Sequence, residues 1–383
     1  MKIRCRRDKF VPLFTLISSF TATRDTRPAL QNVKMVVNEQ HLLLTAVGDG
    51  LGANGKLPIN DGFIVEEGGE AILPAKLLRK ILAETNDEEI ELELNGSMLA
   101  VRGINFRYQL ATWPAEDFPV VAPFDATSYH KIATKSLSEM IRRTSFATDV
   151  ENSHYALGGV LFNFEEDRMS CVATDGRRMA YQMKSAELVR EPQVEGIKEG
   201  RENESVQEQG SKAIFPPKTL NLLERAASDA EEAWIAVKEA QAIIRLNNVE
   251  ISTTLMEGRF PNWRVIMPEK NGKLHVDFIV GDLASAVRQA EIVATEKKPG
   301  VWFNFESGKV NIAAAGDEVG ESSVDIPISY EGEKTSLRLD SRFLNDFLRC
   351  IPSSETLAFY FQPDKPALFE TNDDYSYVVM PLT

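Results

Sequence analysis

The stretch Ile72-Leu73-Pro74-Ala75-Lys76-Leu77-Leu78 decides the fold, because its pattern returns twice further along the chain. It recurs as Ile214-Phe215-Pro216-Pro217-Lys218-Thr219-Leu220 and, more weakly, as Arg338-Leu339-Asp340-Ser341-Arg342-Phe343-Leu344. Each copy is typical of a strand end, followed by Pro or Asp at a helix start and then by a short amphipathic helix. Since a repeated pattern of this kind indicates repeated structural units, we expect domains of one topology.

A second marker keeps the same spacing. Asp117-Phe118-Pro119 has a counterpart in Arg259-Phe260-Pro261, and the intervals from 72 to 214 and from 118 to 260 are both 142 residues. The third copy of the first motif begins 124 residues after the second, which would place a third Phe-Pro at position 384, next to the last residue, Thr383. A third repeat is therefore expected to fill the rest of the chain.

The segments between these markers also resemble one another. An amphipathic helix is predicted at the start of each repeat, in FVPLFTLISSF (10–20), SLSEMIRRTSF (136–146) and DLASAVRQAEIV (282–293). Alternating apolar residues around a polar turn predict hairpins in VLFNFEEDRMSCVATDG (160–176) and VWFNFESGKVNIAAAGD (301–317). The predicted fold is α+β, with three like domains at 1–128, 129–270 and 271–383.

One segment of the middle repeat departs from the pattern. Residues 191–212 read EPQVEGIKEGRENESVQEQGSK, with six Glu and no aromatic residue. Such a composition cannot bury a core, so we expect a mobile acidic insertion. A role in binding a partner is the alternative interpretation.

Composition excludes several classes of protein. With 43% hydrophobic and 26% charged residues the chain is typical of a soluble globular protein, and no apolar run is long enough to span a bilayer. Three scattered cysteines and four scattered histidines argue against a disulfide framework and a metal site, and they favour a cytoplasmic location. The basic first residues precede a proline-interrupted apolar segment, which we interpret as a core helix and not as a secretion signal.

Three segments are similar to those of a known family. ATDGRRMA (173–180), EGRFPNWRVIMP (257–268) and YVVMPL (377–382) resemble hallmark segments of the β subunit of bacterial DNA polymerase III, the sliding clamp, in its order and spacing. The resemblance implies a DNA clamp fold without catalytic residues or cofactor. Two chains of three domains would pair head to tail into a six-domain ring, with helices inside and sheets outside.

The resemblance also implies partners. These are duplex DNA, the replicative polymerase α subunit, the clamp-loader δ subunit, clamp-binding repair polymerases and a second copy of the chain. A net charge of −14 opposes DNA binding by bulk attraction, whereas a closed ring needs little contact energy because it cannot dissociate sideways. The predicted DNA contacts are Arg27, Lys76, Arg79, Arg142, Arg143, Tyr155 and Lys218, with Lys80 and Arg288 as further inward cations.

The family docks partner peptides in an apolar pocket between its second and third domains. The matching positions in this chain are Leu157, Thr174, Gly176, Arg178, Met179, Pro261, Ile266, Phe343, Val378, Met380, Pro381 and Leu382. For the subunit contact, the resemblance gives Tyr108, Leu110 and Val293. We further hypothesise that Arg102 and Arg107 meet Asp317, Glu318 and Glu321 across that contact.

Two other functions remain open at this point. Asp175 and Asp317 occupy equivalent points of two repeats and could supply acid–base chemistry, although they more simply mark the same turn. GDGLGANG (48–55) has the glycines of a phosphate-binding loop, but no helical periodicity follows it, so we predict a turn. A scaffold built from repeats that binds proteins without DNA would have the same pocket but would lack the central opening of a ring.

Overall fold

A computed structural model describes residues 1–60, 62–116, 118–149, 156–191, 211–295, 299–316 and 319–382. The predicted acidic insertion at 191–212 lies outside these ranges except for Glu191, Ser211 and Lys212. Within the described ranges, no helix has the length and apolar character needed to cross a membrane.

In its described residues, the first third of the chain contains two α-helices and nine strands. They are β1 (Lys2–Arg6), α1 (Arg7–Ile17), β2 (Val33–Val37), β3 (His41–Gly48), β4 (Leu51–Pro58), β5 (Phe63–Glu67), β6 (Gly69–Leu73), α2 (Ala75–Glu84), β7 (Glu89–Asn95), β8 (Met98–Arg102) and β9 (Arg107–Ala111).

The middle third has the same order of elements and ends with a short extra helix. Its elements are β10 (Ser128–Ala133), α3 (Thr134–Thr144), β11 (Val160–Phe164), β12 (Arg168–Thr174), β13 (Arg178–Ser185), β14 (Glu187–Arg190), β15 (Ser211–Phe215), α4 (Pro217–Ala226), β16 (Glu232–Lys238), β17 (Gln241–Leu246), β18 (Val249–Thr254) and α5 (Trp263–Ile266).

The last third repeats the order once more, without a counterpart of β5 and β14 in its described residues. It comprises β19 (Leu274–Ile279), α6 (Val280–Ala290), β20 (Gly300–Glu306), β21 (Lys309–Gly316), β22 (Gly320–Pro327), β23 (Thr335–Asp340), α7 (Ser341–Leu348), β24 (Thr356–Phe361), β25 (Ala367–Glu370) and β26 (Tyr375–Val379). The repeat predicted from the sequence is therefore confirmed at the level of secondary structure.

The helix starts confirm the local reading of the repeated motif. Pro74 precedes α2, and its carbonyl oxygen accepts a hydrogen bond from the Leu78 amide at 2.8 Å. At the third copy, the Asp340 carboxylate caps α7 by accepting the Arg342 amide hydrogen bond at 2.9 Å. Proline and aspartate both suit a helix start, because proline has no amide hydrogen to leave unpaired and aspartate accepts one.

The first of two compact units holds Met1–Leu137, Glu187–Glu208 and Lys218–Leu255. It contains a nine-stranded sheet, β14-β10-β16-β17-β18-β4-β3-β2-β6, and a five-stranded sheet, β5-β1-β7-β8-β9. Phe10, Leu13, Phe14 and Ile17 of α1 are buried, so the N-terminal apolar segment forms a core helix as predicted. A Cβ at Gly55 would lie 2.7 Å from Leu13 Cδ1, so only glycine lets α1 approach β4 this closely.

The second unit holds Ser138–Ala186, Gln209–Pro217 and Met256–Thr383. Its strands form an eight-stranded sheet, β15-β11-β12-β13-β26-β25-β24-β19, and a four-stranded sheet, β22-β21-β20-β23. Buried phenylalanines fill its core, including Phe303, Phe305 and Phe359, whose rings stack on neighbouring aromatic side chains.

Sheets are shared between successive thirds of the chain. β4 of the first third pairs antiparallel with β18 of the middle third, where Val249 lies opposite Gly55. In the same way β13 of the middle third pairs with β26 of the last third, where Met179 lies opposite Val378. Each third therefore contributes one half to each of two sheets, and the half-sheets join at equivalent strands.

Arg143 occupies the interior of the second unit, which overturns its predicted role as a DNA contact. Its side chain is 1% exposed, and it donates to Gln182 at 2.8 Å and to Asp373 at 2.6 Å. Glu139 lies 2.8 Å away as a second carboxylate partner. The guanidinium also lies over the Tyr375 ring, 4.9 Å from its centroid. A side chain held in this way ties α3 to the loop before β26 and cannot reach a ligand.

The Arg143 cluster should make stability depend on pH. Burial alone would raise the pKa of Asp373, but hydrogen bonds from Thr371, Lys184 and Arg143 outweigh it and lower that pKa from 3.8 to about 2. A carboxyl with a depressed folded-state pKa stabilises the fold above its unfolded pKa, and this contribution is lost as the pH falls through the folded value. Asp373→Asn should therefore lower the free energy of unfolding at pH 6, and its difference from wild type should shrink between about pH 4 and pH 2.

Urea denaturation followed by circular dichroism at several pH values would measure this difference. Asp364→Asn is a matched control, because Asp364 lies in an exposed turn. A wild-type-to-Asp373→Asn difference that stays constant down to pH 2 would contradict the assignment.

Candidate functional site

The turn between β12 and β13 is held by one carboxylate. Asp175 Oδ1 accepts hydrogen bonds from the amides of Arg177 and Arg178, at 2.9 and 3.0 Å. Gly176 has a φ of 86°, a left-handed conformation that glycine adopts without strain, and its amide donates to Thr174 Oγ1 at 3.1 Å. The ATDG motif thus has a structural explanation, since it forms a rigid turn that presents Arg178.

Arg178 links this turn to helix α7. Its guanidinium donates to Asp175 at 3.0 Å, to Asp346 at 2.8 Å and to the Phe146 carbonyl oxygen at 2.9 Å. The same group lies over the Phe343 ring, 4.4 Å from the centroid. Because the planar guanidinium satisfies both carboxylates at once, it fixes Phe343 beside the turn.

The β13–β26 pairing brings the distant halves of the predicted pocket together. Met179 lies opposite Val378, and the Met380 amide donates to the Arg177 carbonyl oxygen at 2.9 Å. Met179 and Val378 belong to one buried cluster with Trp263, and Trp263 stacks on Tyr181 with ring centroids 4.9 Å apart. Residues about 200 positions apart in the sequence therefore share one apolar surface.

The predicted pocket residues separate into a buried base and an accessible rim. Leu157, Thr174, Met179 and Val378 are buried, so these four side chains offer little surface of their own to a ligand. Ile266 and Met380 are each 43% exposed, and Pro261, Phe343, Pro381 and Leu382 are half-buried. Leu382 lies toward β23, where its amide donates to the Arg338 carbonyl oxygen at 2.8 Å.

Three contributors to the site were not predicted. Trp263 forms part of its base, Asp346 anchors Arg178, and Val265, 80% exposed, extends the apolar rim beside Ile266. The segment Phe260-Pro261-Asn262-Trp263 resembles the family, so Trp263 could have been predicted from it. Asp346 could not be found from sequence, because it lies 168 residues from its partner.

The predicted DNA-contacting cations differ in availability. Lys76, Arg79 and Lys80 on α2, Arg142 on α3 and Arg288 on α6 are exposed. Lys218 is also exposed, but its ammonium donates to Asp49 at 2.5 Å, so its charge is largely compensated. Arg27 is 67% exposed and lies 3.5 Å from Asp25. Tyr155 lies outside the described residues.

A cleft of about 390 Å³ in the first unit collects three cations. Lys9 of α1, Arg79 of α2 and Arg225 of α4 line it, and none of them has an ion-pair partner among the residues that the structure describes. Lys9 and Arg225 were not predicted. Each lies on the exposed face of an amphipathic helix, which is the signal that could have indicated them.

The residues predicted for the subunit contact are only partly accessible. Tyr108 on β9 is 41% exposed and Leu110 is buried within its own sheet. Val293, half-buried, ends the 3₁₀ turn after α6. Arg102 is engaged by Glu91 at 2.5 Å and by Glu93 in the same chain, which disfavours a role across the contact. Arg107 and Glu321 are exposed, whereas Asp317 and Glu318 lie outside the described residues.

The acid–base alternative finds no support in the described geometry. The Asp175 carboxylate is occupied by the turn and by Arg178, and its equivalent Asp317 is not described. In the described ranges, no group of three His, Cys, Asp or Glu side chains could hold a metal ion. Within GDGLGANG, Asp49 and Gly50 form the predicted turn between β3 and β4, with φ values of 53° and 75°, and residues 51–55 belong to β4.

The cysteines are likewise buried, and burial raises the pKa of each thiol, to about 12 for Cys5. Such thiols remain protonated at neutral pH, which does not suit a nucleophile.

Comparison with known proteins identifies the class to which this repeated fold and its pocket belong. The sequence matches the DNA polymerase III beta subunit N-terminal domain over residues 1–122, the central domain over 131–197 and the C-terminal domain over 264–383. The beta sliding clamp of Pseudomonas putida is 28% identical over the full length of both chains.

Solved structures agree. The sliding clamp of Pseudomonas aeruginosa bound to griselimycin has a TM-score of 0.87 and 25% identity, covering 100% of this chain and 99% of that chain. The Bacillus subtilis clamp, at 19% identity, has a TM-score of 0.88 with the same coverage and so shares the fold. The chain belongs to the family of bacterial DNA polymerase III β subunits, the sliding clamps, which are non-catalytic processivity subunits.

Arg178 should be required for the stability of the pocket wall. Arg178→Met leaves Asp175 and Asp346 without their common partner and should lower the free energy of unfolding by about 2 to 3 kcal/mol, less than for a fully buried pair because Asp346 is partly exposed. Arg177→Met is the control, because Arg177 is exposed and contributes only its backbone to the turn. Chemical denaturation measures both variants, and equal stability of the two would contradict the proposed role of Arg178.

Proposed function

We propose that two copies of this chain close head to tail into a ring that encircles duplex DNA and tethers the replicative polymerase to it. The observation that carries the proposal is the pair of strand edges left open by the repeat. β4 and β13 each pair with the next repeat, whereas β22, their equivalent in the last third, is an edge strand. β9, the equivalent of β18 and β26, is likewise an edge strand.

The two open edges are complementary, because the equivalents of β22 and β9 in the other repeats pair with each other. The five-stranded sheet that ends at β9 and the four-stranded sheet that ends at β22 would together give nine strands, as in the shared sheet of the first unit. Exposed strand edges carry unpaired backbone groups and tend to pair with another chain. Since both edges belong to one chain, pairing between two copies uses both, and such a contact must close into a ring to avoid growing into a filament.

Tyr108 and Leu110 are the β9 side chains that we place at this contact, with Val293 beside the partner edge. Tyr108 and Arg107 are exposed on the open edge and would become covered. The domains of each chain would be 1–128, 129–270 and 271–383, giving six in the ring.

Charge is consistent with encirclement. A chain of net charge −14 gains little from general attraction to DNA, so a topological link must supply the retention. The exposed cations of α2, α3 and α6, together with Lys9 and Arg225, would give weak, sequence-independent contacts to phosphates. Weak contacts allow sliding, because each one is easily exchanged for the next.

We assign the rim around Ile266 and Met380 to partner peptides. Each apolar peptide side chain that is buried there contributes roughly 1.5 to 3 kcal/mol, and two or three of them, less the cost of ordering the peptide, give affinities on the order of micromolar. The partners are the polymerase α subunit, the clamp-loader δ subunit and repair polymerases, which exchange on a common site in the cytoplasm.

The edge-strand contact predicts a specific loss of the ring. Tyr108→Asp puts a carboxylate on the open edge of β9 and should convert a dimer into a monomer of 42.8 kDa in sedimentation. Ile64→Asp is the matched control, because Ile64 is 54% exposed on β5, the opposite edge of the same sheet. A Tyr108→Asp protein that remains a dimer would overturn the contact.

Retention on circular DNA separates a clamp from a scaffold that binds proteins without DNA. Loaded wild-type protein should stay on a nicked circular plasmid during gel filtration and be lost when the plasmid is linearised. Retention that ignores linearisation would favour a DNA-independent or simply adhesive protein, and the ring proposal would fail.

The peptide pocket is tested by its accessible rim. Met380→Asp and Ile266→Asp should each weaken binding of a labelled polymerase α-subunit peptide at least tenfold in fluorescence anisotropy, because a carboxylate replaces apolar contact area. Both side chains are partly solvated, so the melting temperature should change little. Val120→Asp, at a 92% exposed valine of the first unit, is the control and should bind normally. Unchanged affinity in both rim variants would refute the assignment.

A further inference from the structure

Next to the pocket, three side chains lie together on an exposed face of the β20–β23 pair. Trp302 and Arg338 lie directly opposite one another in the strand register and so share a face of the sheet. Arg338 lies over the Trp302 ring, 5.8 Å from its centroid, and Trp302 is 43% exposed. We refer to Trp302, Arg338 and Leu382 as the Arg338 ledge.

Gly300 makes the arrangement of the ledge possible. A Cβ at this position would lie 2.5 Å from Arg338 Nε and 2.6 Å from Leu382 Cδ1. The arginine stem and the leucine side chain therefore both lie against bare backbone at Gly300. This contact fixes Arg338 between Leu382, which belongs to the proposed pocket, and the exposed indole.

The guanidinium of Arg338 lacks an anionic partner among the described residues. Its Nε is enclosed and makes no hydrogen bond there. Asp340 is two residues along the same strand, but its carboxylate already accepts from the amide, Nε and Nη2 of Arg342, at 2.9, 3.1 and 2.7 Å. Asn304 and Ser336, the next cross-strand pair on this face, are uncharged. Arg338 is thus a positioned cation for which the described part of the chain supplies no counter-ion.

We propose that the Arg338 ledge extends the partner-peptide site and binds a carboxylate of an acidic residue that flanks the apolar anchors of the peptide. The inference rests on the proposed pocket. Three features favour this occupant: an unpaired guanidinium, an exposed indole beside it, and continuity with the pocket through the hydrogen bond from Leu382 to the Arg338 carbonyl oxygen at 2.8 Å. A guanidinium that is held flat can form two parallel hydrogen bonds to one carboxylate, whereas an amide in the same place can satisfy it only in part.

Two synthetic peptides test the ledge. Both carry the same apolar anchors from the polymerase α subunit, and they differ only in flanking residues that are Asp and Glu in one and Asn and Gln in the other. Wild-type protein should bind the acidic peptide about fivefold more tightly in low salt, and the preference should decrease as salt screens the pair. Isothermal titration calorimetry on the full-length protein measures both affinities.

Substitutions then locate the preference. Arg338→Gln should bind the two peptides equally, and Gly300→Ala should reduce the preference while retaining the positive charge, because its Cβ displaces Arg338. Lys334→Gln is the matched control, since Lys334 is an 80% exposed cation near the start of β23, and it should keep the wild-type preference.

The outcomes distinguish the two proposals. Equal affinity of wild-type protein for both peptides, or a preference that survives in Arg338→Gln, would overturn the ledge and leave the pocket intact. A preference lost equally in Lys334→Gln would show a general charge effect and would also overturn the ledge. Failure of wild-type protein to bind either peptide would overturn the pocket and the ledge together.

Discussion

Successive repeats of this chain complete one another's sheets at two joints, the β4–β18 and β13–β26 strand pairings. The backbone hydrogen bonding at these joints is the constraint on which the rest of the structure depends. A half-sheet that ends at β4 or β13 would leave a row of unpaired amides and carbonyls, which is costly when buried and adhesive when exposed. Pairing with β18 and β26 satisfies these rows within the chain. In the described residues β9 and β22, the equivalents of these paired strands, are edge strands, and the proposed ring would pair them.

The pocket is a product of one joint. Arg178 and Met179 come from β13, and Val378 and Met380 from β26 and its continuation, so the pocket surface exists only where these strands pair. The equivalent joint at β4 is filled differently, because Val121 packs against Gly52, where a Cβ would lie 2.8 Å from Val121 Cγ2. At the second joint Trp263 stacks on Tyr181 and leaves Val265 and Ile266 exposed beside it. A valine thus packs at the first strand pairing and a tryptophan at the equivalent place in the second, where Val265 and Ile266 stay exposed.

Much of the fold could be predicted from the sequence because its determinants are local. Proline and aspartate at the helix starts, alternating residues in the hairpins and the Asp-Gly turn all act within a few positions of one another, and the structure confirms each of them. Strand pairing between repeats was not predictable from residue pattern alone, since β4 and β18 are nearly 200 residues apart.

The site was predicted less completely for the same reason. Arg142 and Arg143 are adjacent on α3 and look alike in sequence. Only Arg143 is buried, where it donates a hydrogen bond to Asp373, 230 residues away. Lys218 similarly finds Asp49, 169 residues away. Position within the pocket was predicted from the family resemblance, whereas the division into buried base and exposed rim depended on packing that no local pattern encodes.

The three buried cysteines have a consequence for observing this molecule in motion. Cys5, Cys171 and Cys350 fall one in each third of the chain, and burial keeps each thiol protonated and shielded. A thiol in that state reacts with an alkylating reagent only during a local opening that exposes it. Each third of the chain therefore contains one native cysteine whose rate of alkylation reports local opening. The opening of each third can be measured separately without adding a label.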